Sequence, residues 1–180
     1  LALAKVEQLR QEDSNQSSAM LAQLDDIVRD VALELSPLIA DHDMDFGIET
    51  QACCVAAHEW MLRELTRNLL HNAIRHTPRH GSLQIDVRAH GGMAQLSIED
   101  SGSGIDDELA LRLFQPFSAG NTRSGSGLGL AICQEIVQAL GGNIALGNRR
   151  QGGAILGLDA VVRLPLARPR EAAPVKKSQP

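Results

Sequence analysis

Three groups of residues in this 180-residue chain have types and spacings that could do chemistry. Between His58 and His76, Glu64, Asn68 and Asn72 recur at a spacing of one helical turn, and Arg75 and His76 extend the same stripe. Trp60, Leu62, Leu65, Leu69 and Ala73 of the same segment are apolar. Asparagine is a mediocre helix former with no capping role inside a helix. The row of amides therefore reads either as a solvated face or as a cleft lining suited to a hard cation that keeps most of its water. The second group centres on Asp100. Along Ala94, Leu96 and Ile98 the next residue of the same parity is Asp100, so its carboxylate points inward where the strand breaks into Ser101-Gly102-Ser103-Gly104-Ile105. An inward carboxylate needs a partner. An amino group on a heterocyclic ligand would serve, with the glycines allowing close approach to the backbone; an Asx-turn before glycine is the plainer alternative. The third group is Gly125-Ser126-Gly127-Leu128-Gly129-Leu130, which runs into a helical pattern. Glycines at a helix start expose N–H groups beside the positive end of the dipole, a phosphate site. This stretch fits neither a dinucleotide-binding fingerprint, since no strand precedes it directly, nor a P-loop, since no Lys-Ser/Thr follows.

The elements that must position these groups are legible in the apolar periodicity. Leu24, Ile27, Val28, Val31, Leu35, Leu38 and Ile39 form one stripe of a helix, and Pro37 suggests its boundary. MDFGIET and CCVAA are strand-like, and Pro78 sets the end of the helix that starts at His58. Leu83, Ile85, Val87 and Ala89 alternate with polar residues, then turn at Gly91-Gly92 into Ala94, Leu96 and Ile98, a hairpin. A helix over 106–114, a polar Gly/Ser stretch over 118–125, a helix over 128–140 ending at Gly141-Gly142, and strands over 143–148 and 154–164 complete the pattern. This mixture predicts a two-layer α/β (α+β) sandwich, with helices on one face of a mixed, mostly antiparallel sheet. Residues 1–16 suit the end of a longer helix that needs a partner. The last residues, from 167 on, hold three prolines and four basic residues and read as a disordered tail.

Composition narrows the function class. Aromatics are 2% of the chain and net charge is −5, which argues against base-stacking platforms and against nucleic-acid or anionic-membrane surfaces. No apolar run approaches the roughly 18 residues of a membrane span, and no signal-peptide pattern opens the chain. Cys53, Cys54 and Cys133 form neither a disulfide framework nor a zinc spacing, and read as free thiols in a reducing compartment.

ELTRNLLHNAIRHTP, EDSGSGI, LFQPF and GSGLGLAI resemble, in this order, the N, G1, F and G2 boxes of the catalytic ATP-binding domain of bacterial sensor histidine kinases. The ending GG-NIALGN-…-GGA-…-RLP fits the same family. The resemblance runs from about residue 19 to 166 and implies a Bergerat-type ATP-binding fold. It makes 1–18 the end of the second dimerisation helix and its linker, and 167–180 a tail. It implies that Asn72, with Asn68, holds Mg²⁺ against the triphosphate of ATP and that Arg75 touches phosphate. His76 stands where the family often has a tyrosine near the nucleotide. Asp100 would accept from the adenine amino group, with Gly102, Gly104 and Ile105 shaping the base pocket. Phe114 and Phe117 fall in the F box beside a mobile lid, and Arg123 could supply a phosphate contact there. Gly125, Gly127 and Gly129 would form the lid hinge and bind phosphates, with Ser126, Leu128 and Leu130 also in the ATP-binding stretch.

The implied reaction is transfer of the γ-phosphoryl group of ATP to a histidine on a dimerisation module of the same parent protein, for relay to a response regulator. That places this chain in the cytoplasm and its parent at the inner membrane, with neither nucleic acid nor membrane as a partner of this fragment. Related gyrase-type and chaperone ATPases carry a water-activating glutamate four residues before the metal-binding asparagine. Here Asn68 holds that place and cannot act as a general base, which implies slow hydrolysis. Pro116 and Ala119 depart from the basic residues common in the F box, so a regulatory module that only holds nucleotide stays open as an alternative. A gyrase- or chaperone-type ATPase is a second. His58-Glu59 superficially matches a phosphoacceptor but opens the N-box helix and lacks the following proline; His42, His80 and His90 have no supporting context. The acceptor is expected outside this chain.

Overall fold

The computed structural model describes residues 20–106, 113–114 and 128–167. Its elements run in the order β1 (Leu21–Gln23), α1 (Leu24–Asp41), β2 (Asp45–Thr50), β3 (Cys54–Ala56), α2 (Glu59–His76), β4 (Ser82–His90), β5 (Met93–Asp100), α3 (Gly129–Ala139), β6 (Asn143–Gln151) and β7 (Ala154–Pro165). Five strands form one sheet in the order β2-β4-β5-β7-β6, while β1 and β3 pair separately. Within the larger sheet only β2 and β4 run parallel; the other neighbours are antiparallel. The helices cover the face that carries Leu83, Ile85 and Val87 of β4, Ala94, Leu96 and Ile98 of β5, and Val162 and Leu164 of β7. This is the mixed two-layer sandwich that the alternation predicts.

Each helix is shaped by its apolar stripe and its ends. In α1, Leu24, Ile27, Val28, Val31, Leu35 and Ile39 are buried. The expected boundary at Pro37 is wrong, because α1 continues through it to Asp41. Pro37 has no N–H to offer the carbonyl of Leu33. The Ser36 hydroxyl donates to that carbonyl instead, at 2.8 Å, so the missing bond is partly replaced. In α2, Thr77 closes the helix: its N–H and its Oγ1 both donate to the Ala73 carbonyl, at 3.0 and 2.7 Å. Pro78 follows. Arg75 and His76 occupy the last turn, where positive charge favours the dipole. Arg67 of α2 pairs with Glu34 of α1 at 2.6 Å, and Arg63 bonds the same carboxylate.

The strand β1 was not expected from the pattern. It has three residues, too few for a period-two pattern to be recognised in the sequence. The core fills the space between helices and sheet, with Leu24, Leu62, Leu65, Leu70, Leu83 and Ile85 fully enclosed. Leu65→Ala is expected to cost about 2–5 kcal/mol of stability through lost burial and the cavity left behind. A urea midpoint that does not fall would show that the space under α2 collapses around the truncation. Cys53 and Cys133 are buried, Cys54 is half-buried, and all three are free thiols. Burial, assisted by the Glu64 charge, pushes the Cys133 thiol above its usual range, so it behaves as a small core residue. Among the described residues no helix is long and apolar enough to cross a membrane.

Candidate functional site

The polar stripe of α2 does not lie wholly in solvent. Glu64, Asn68 and Asn72 are half-buried, whereas Arg75 and His76 are exposed. The first half of the stripe faces α3. The Cys133 thiol donates to the Leu65 carbonyl at 3.8 Å, and a Cβ built on Gly129 would lie 3.4 Å from Asn68 Oδ1. Asn68 Nδ2 donates to Glu64 Oε1 at 3.1 Å, which turns the amide so that its oxygen meets the start of α3. That start carries no side-chain cap on its residue Leu128. Leu128, Gly129 and Leu130 are half-buried there. An amide oxygen and the N-terminal turn of a helix thus meet across one short gap.

Asp100, the last residue of β5, is 3% exposed. Its Oδ1 accepts from the Gly102 N–H at 2.8 Å and from the Leu158 N–H at 3.3 Å. The first of these bonds is the Asx-turn considered from the sequence; the inward orientation also holds. Both arrangements coexist because both backbone donors converge on a single oxygen. Burial pushes the Asp100 carboxyl above the ordinary aspartate range, against the opposing pull of the Gly102 and Leu158 N–H groups and of His76 and Arg149. The β5–β7 ladder ends at Glu99 opposite Asp159, which is why the next N–H, that of Leu158, can turn to the side chain.

The turn that follows packs tightly against α2. A Cβ on Gly102 would lie 2.5 Å from the His76 carbonyl oxygen, so only glycine lets the end of α2 abut the turn. Ser101 ties the turn to β4: its N–H donates to the Ser82 carbonyl at 3.1 Å and its Oγ accepts from the Ser82 N–H at 2.7 Å. Gly104 has φ of +70°. Ile105 is half-buried. Asn68 meets the start of α3, and the turn after Asp100 meets the end of α2. Leu113 is buried and Phe114 half-buried. Phe117, Arg123, Gly125, Ser126 and Gly127 lie outside the described residues, as do the helix expected over 106–114 beyond its ends and the polar stretch over 118–125. His58 is the residue before α2 and its carbonyl accepts the Met61 N–H at 3.0 Å, a structural position.

Four contributors escaped the sequence reading. Asn148 and Arg149 of β6 bond to Ile105 and Asp100, Gly157 of β7 admits the Asp100 carbonyl, and the Leu158 N–H reaches the Asp100 carboxylate. A signal existed for two of them. Asparagine is depleted in strands, and a glycine inside one marks a bulge or a close backbone approach.

Among the described residues no three His, Cys, Asp or Glu side chains gather as a metal site. The donor set that does exist, Glu64 with the amides of Asn68 and Asn72, consists of hard oxygens, which suits a magnesium-like ion completing its shell with water and ligand oxygens. The described residues thus offer hard oxygen donors on α2, a helix start beside Asn68 and a buried carboxylate at the end of β5.

A family model described as histidine kinase-, DNA gyrase B-, and HSP90-like ATPase matches residues 57–168. Sensor protein kinase PmrB of Pseudomonas aeruginosa is 32% identical over 151 residues, covering 82% of this chain and 31% of PmrB. The nucleotide-free catalytic domain of histidine kinase ThkA superposes with a TM-score of 0.73 at 28% identity, covering 82% of this chain and 95% of that one. ThkA in complex with response regulator protein TrrA superposes with a TM-score of 0.69 at 25% identity, over 92% of this chain and 47% of that one. The chain spans less than a third of the length of curated relatives such as PmrB, at 31%, and sensor protein KdpD of Escherichia coli, at 10%. With the two-layer sandwich and a family match over residues 57–168, this chain belongs to the histidine kinase-, DNA gyrase B- and HSP90-like ATPase family, alongside the sensor histidine kinases.

Proposed function

We propose that this chain is the catalytic domain of a sensor histidine kinase, which binds Mg²⁺–ATP and transfers its γ-phosphoryl group to a histidine of a dimerisation module. One observation carries the reading: Asp100 is buried with both backbone donors on Oδ1, so an incoming adenine amino group would meet Oδ2 as acceptor. Asn72 and Asn68 would hold Mg²⁺. The ion would supply charge neutralisation at the phosphates. Arg75, at the end of the same stripe, would contact phosphate, and the start of α3 would present N–H groups to it. In the transfer the bond from the γ-phosphorus to the β–γ bridging oxygen breaks, a phosphorus–nitrogen bond to the imidazole forms, and ADP leaves. The imidazole proton passes to solvent. The residues of this chain contribute position and charge, which is most of what phosphoryl transfer requires.

Asn68 supports a transferase over a hydrolase. Its amide cannot remove a proton from water, and the Glu64 carboxylate one turn away accepts from that amide. The response regulator is the proposed downstream partner, in line with the ThkA complex. A cytoplasmic location follows from this reading.

Mixing the chain with Mg²⁺–ATP and a supplied dimerisation module is expected to give acid-labile phosphohistidine on the module, with slow ATP hydrolysis by the chain alone. ATP binding without phosphohistidine would point instead to a regulatory nucleotide module. Rapid turnover abolished by Asn68→Ala would point to an ATPase of the gyrase or chaperone kind.

A further inference from the structure

Strand β6 reaches across the sheet edge to the turn after Asp100 with two consecutive side chains. Asn148 Oδ1 accepts from the Ile105 N–H at 2.8 Å, and its Nδ2 donates to the Ile105 carbonyl at 2.7 Å. One carboxamide thus satisfies both main-chain groups of a residue 43 positions away, as a neighbouring strand would. Arg149 Nη2 donates to the Asp100 carbonyl at 2.8 Å. Its Nη1 pairs with Asp159 and lies 3.6 Å from Glu99. Consecutive strand residues face opposite sides of a sheet, so the segment from Asp100 to Ile105 is gripped at its start and at its end from two directions.

The surrounding backbone is built around this grip. The register of β6 and β7 shifts between Arg149 and Arg150, with Arg149 opposite Gly157 and Arg150 opposite Ile155. Such a bulge re-aims side chains and often stands beside a functional site. Any Cβ at Gly157 would fall 1.7 Å from the Asp100 carbonyl oxygen, so β7 can approach the end of β5 only as glycine. A Cβ at Gly104 would lie 2.3 Å from Asn148 Oδ1 and 2.7 Å from Ile155 Cγ2, at a φ of +70° that already favours glycine. Two glycines are therefore spent on letting the β6–β7 hairpin close on this turn. Neither Asn148 nor Arg149 is needed to cover the apolar core, since both stand at its edge, half-buried.

We infer that Asn148 and Arg149 are positioning residues that set adenine selectivity by fixing the Asp100–Ile105 turn. The inference rests on the reading of Asp100 as the acceptor for the base amino group. Selectivity between an amino and a carbonyl substituent depends on where one carboxylate oxygen stands, to within a fraction of a hydrogen-bond length. Asn148→Asp is informative, because an aspartate keeps the acceptor for the Ile105 N–H but sets an oxygen against the Ile105 carbonyl. Asn148→Ala removes both bonds.

Titration calorimetry with Mg²⁺–ATP and Mg²⁺–GTP on the unmodified chain, Asp100→Asn, Asn148→Ala, Asn148→Asp and Arg149→Met tests this. The expected result for Asn148→Ala is ATP binding about tenfold weaker with GTP binding nearly unchanged, so that the ratio narrows, with a smaller change in the same direction for Asn148→Asp. The ¹H–¹⁵N resonances of Gly102 and Ile105 should shift while those of Val28 and Val31 in α1 stay in place. Arg149→Met keeps the aliphatic stem and carries the test if Asn148→Ala fails to fold. A proportional loss of ATP and GTP would indicate general loosening and overturn the inference. A preference for ATP that Asp100→Asn removes but the β6 variants keep would overturn it while leaving the acceptor reading intact. No preference in the unmodified chain, or a preference that survives Asp100→Asn, would overturn both.

Discussion

Asn72→Ala is expected to weaken Mg²⁺-dependent ATP binding by an order of magnitude or more, and to remove phosphotransfer with it. Asn72 lies one helical turn beyond Asn68 on α2, half-buried, while its neighbours Ala73 and Ile74 face the core. Its amide oxygen is a hard donor of the kind magnesium prefers. Truncation to alanine leaves the helix intact, since alanine is the better helix former by several tenths of a kcal/mol. Loss of binding would therefore report the amide itself, not a loss of fold. The proper comparison is calorimetry with Mg²⁺ and with the metal chelated. The unmodified chain should bind ATP more tightly with Mg²⁺, and Asn72→Ala should bind it about equally in both conditions. Identical titrations of the two proteins in Mg²⁺ would remove Asn72 from the metal-binding role and leave its place on the stripe without a function.

How legible this site was depends on the range of the interactions that build it. The helix α2 and its stripe follow from local spacing and from Pro78. The hairpin of β4 and β5 follows from alternation, and the inward direction of Asp100 follows from parity alone. Pro37 misled because local propensity says nothing of the Ser36 hydroxyl that takes over the Leu33 carbonyl. The hold of Asn148 on Ile105 spans 43 residues and lies beside a register shift, and a single sequence encodes neither directly. Its traces were an asparagine and a glycine in strands that otherwise alternate. The Asx-turn at Asp100 does not exclude the proposed acceptor role, because a carboxylate has two oxygens and the turn engages one. That separation also determines how Asp100 variants should behave.

Asp100→Asn is expected to weaken ATP binding by about tenfold or more and to shift preference toward GTP. The Gly102 and Leu158 N–H groups both point at Oδ1. An asparagine must keep its oxygen there, because its NH₂ would face two donors. The NH₂ is forced into the place of Oδ2, where it opposes the donor at position 6 of adenine and suits the acceptor that guanine carries there. An unmade or repelled bond in a buried site costs about 1–3 kcal/mol, and 1.4 kcal/mol is tenfold. Protonation should imitate the substitution. Burial raises the Asp100 carboxyl above the ordinary aspartate range, opposed by the two N–H groups and by the charges of His76 on α2 and Arg149 on β6. ATP affinity of the unmodified chain should therefore fall, as pH decreases, at a higher pH than an ordinary aspartate near 3.9 would give. A carboxyl with a raised folded-state pKa binds its proton more tightly when folded, so this protonation by itself favours the fold as pH falls. Loss of ATP binding with retained structure is the expected signature, and Asp100→Asn should abolish that part of the pH dependence. An affinity profile that is the same in the two proteins would show that the titrating group is elsewhere. An asparagine variant that still prefers ATP tenfold would show that Oδ2 is not what the base meets.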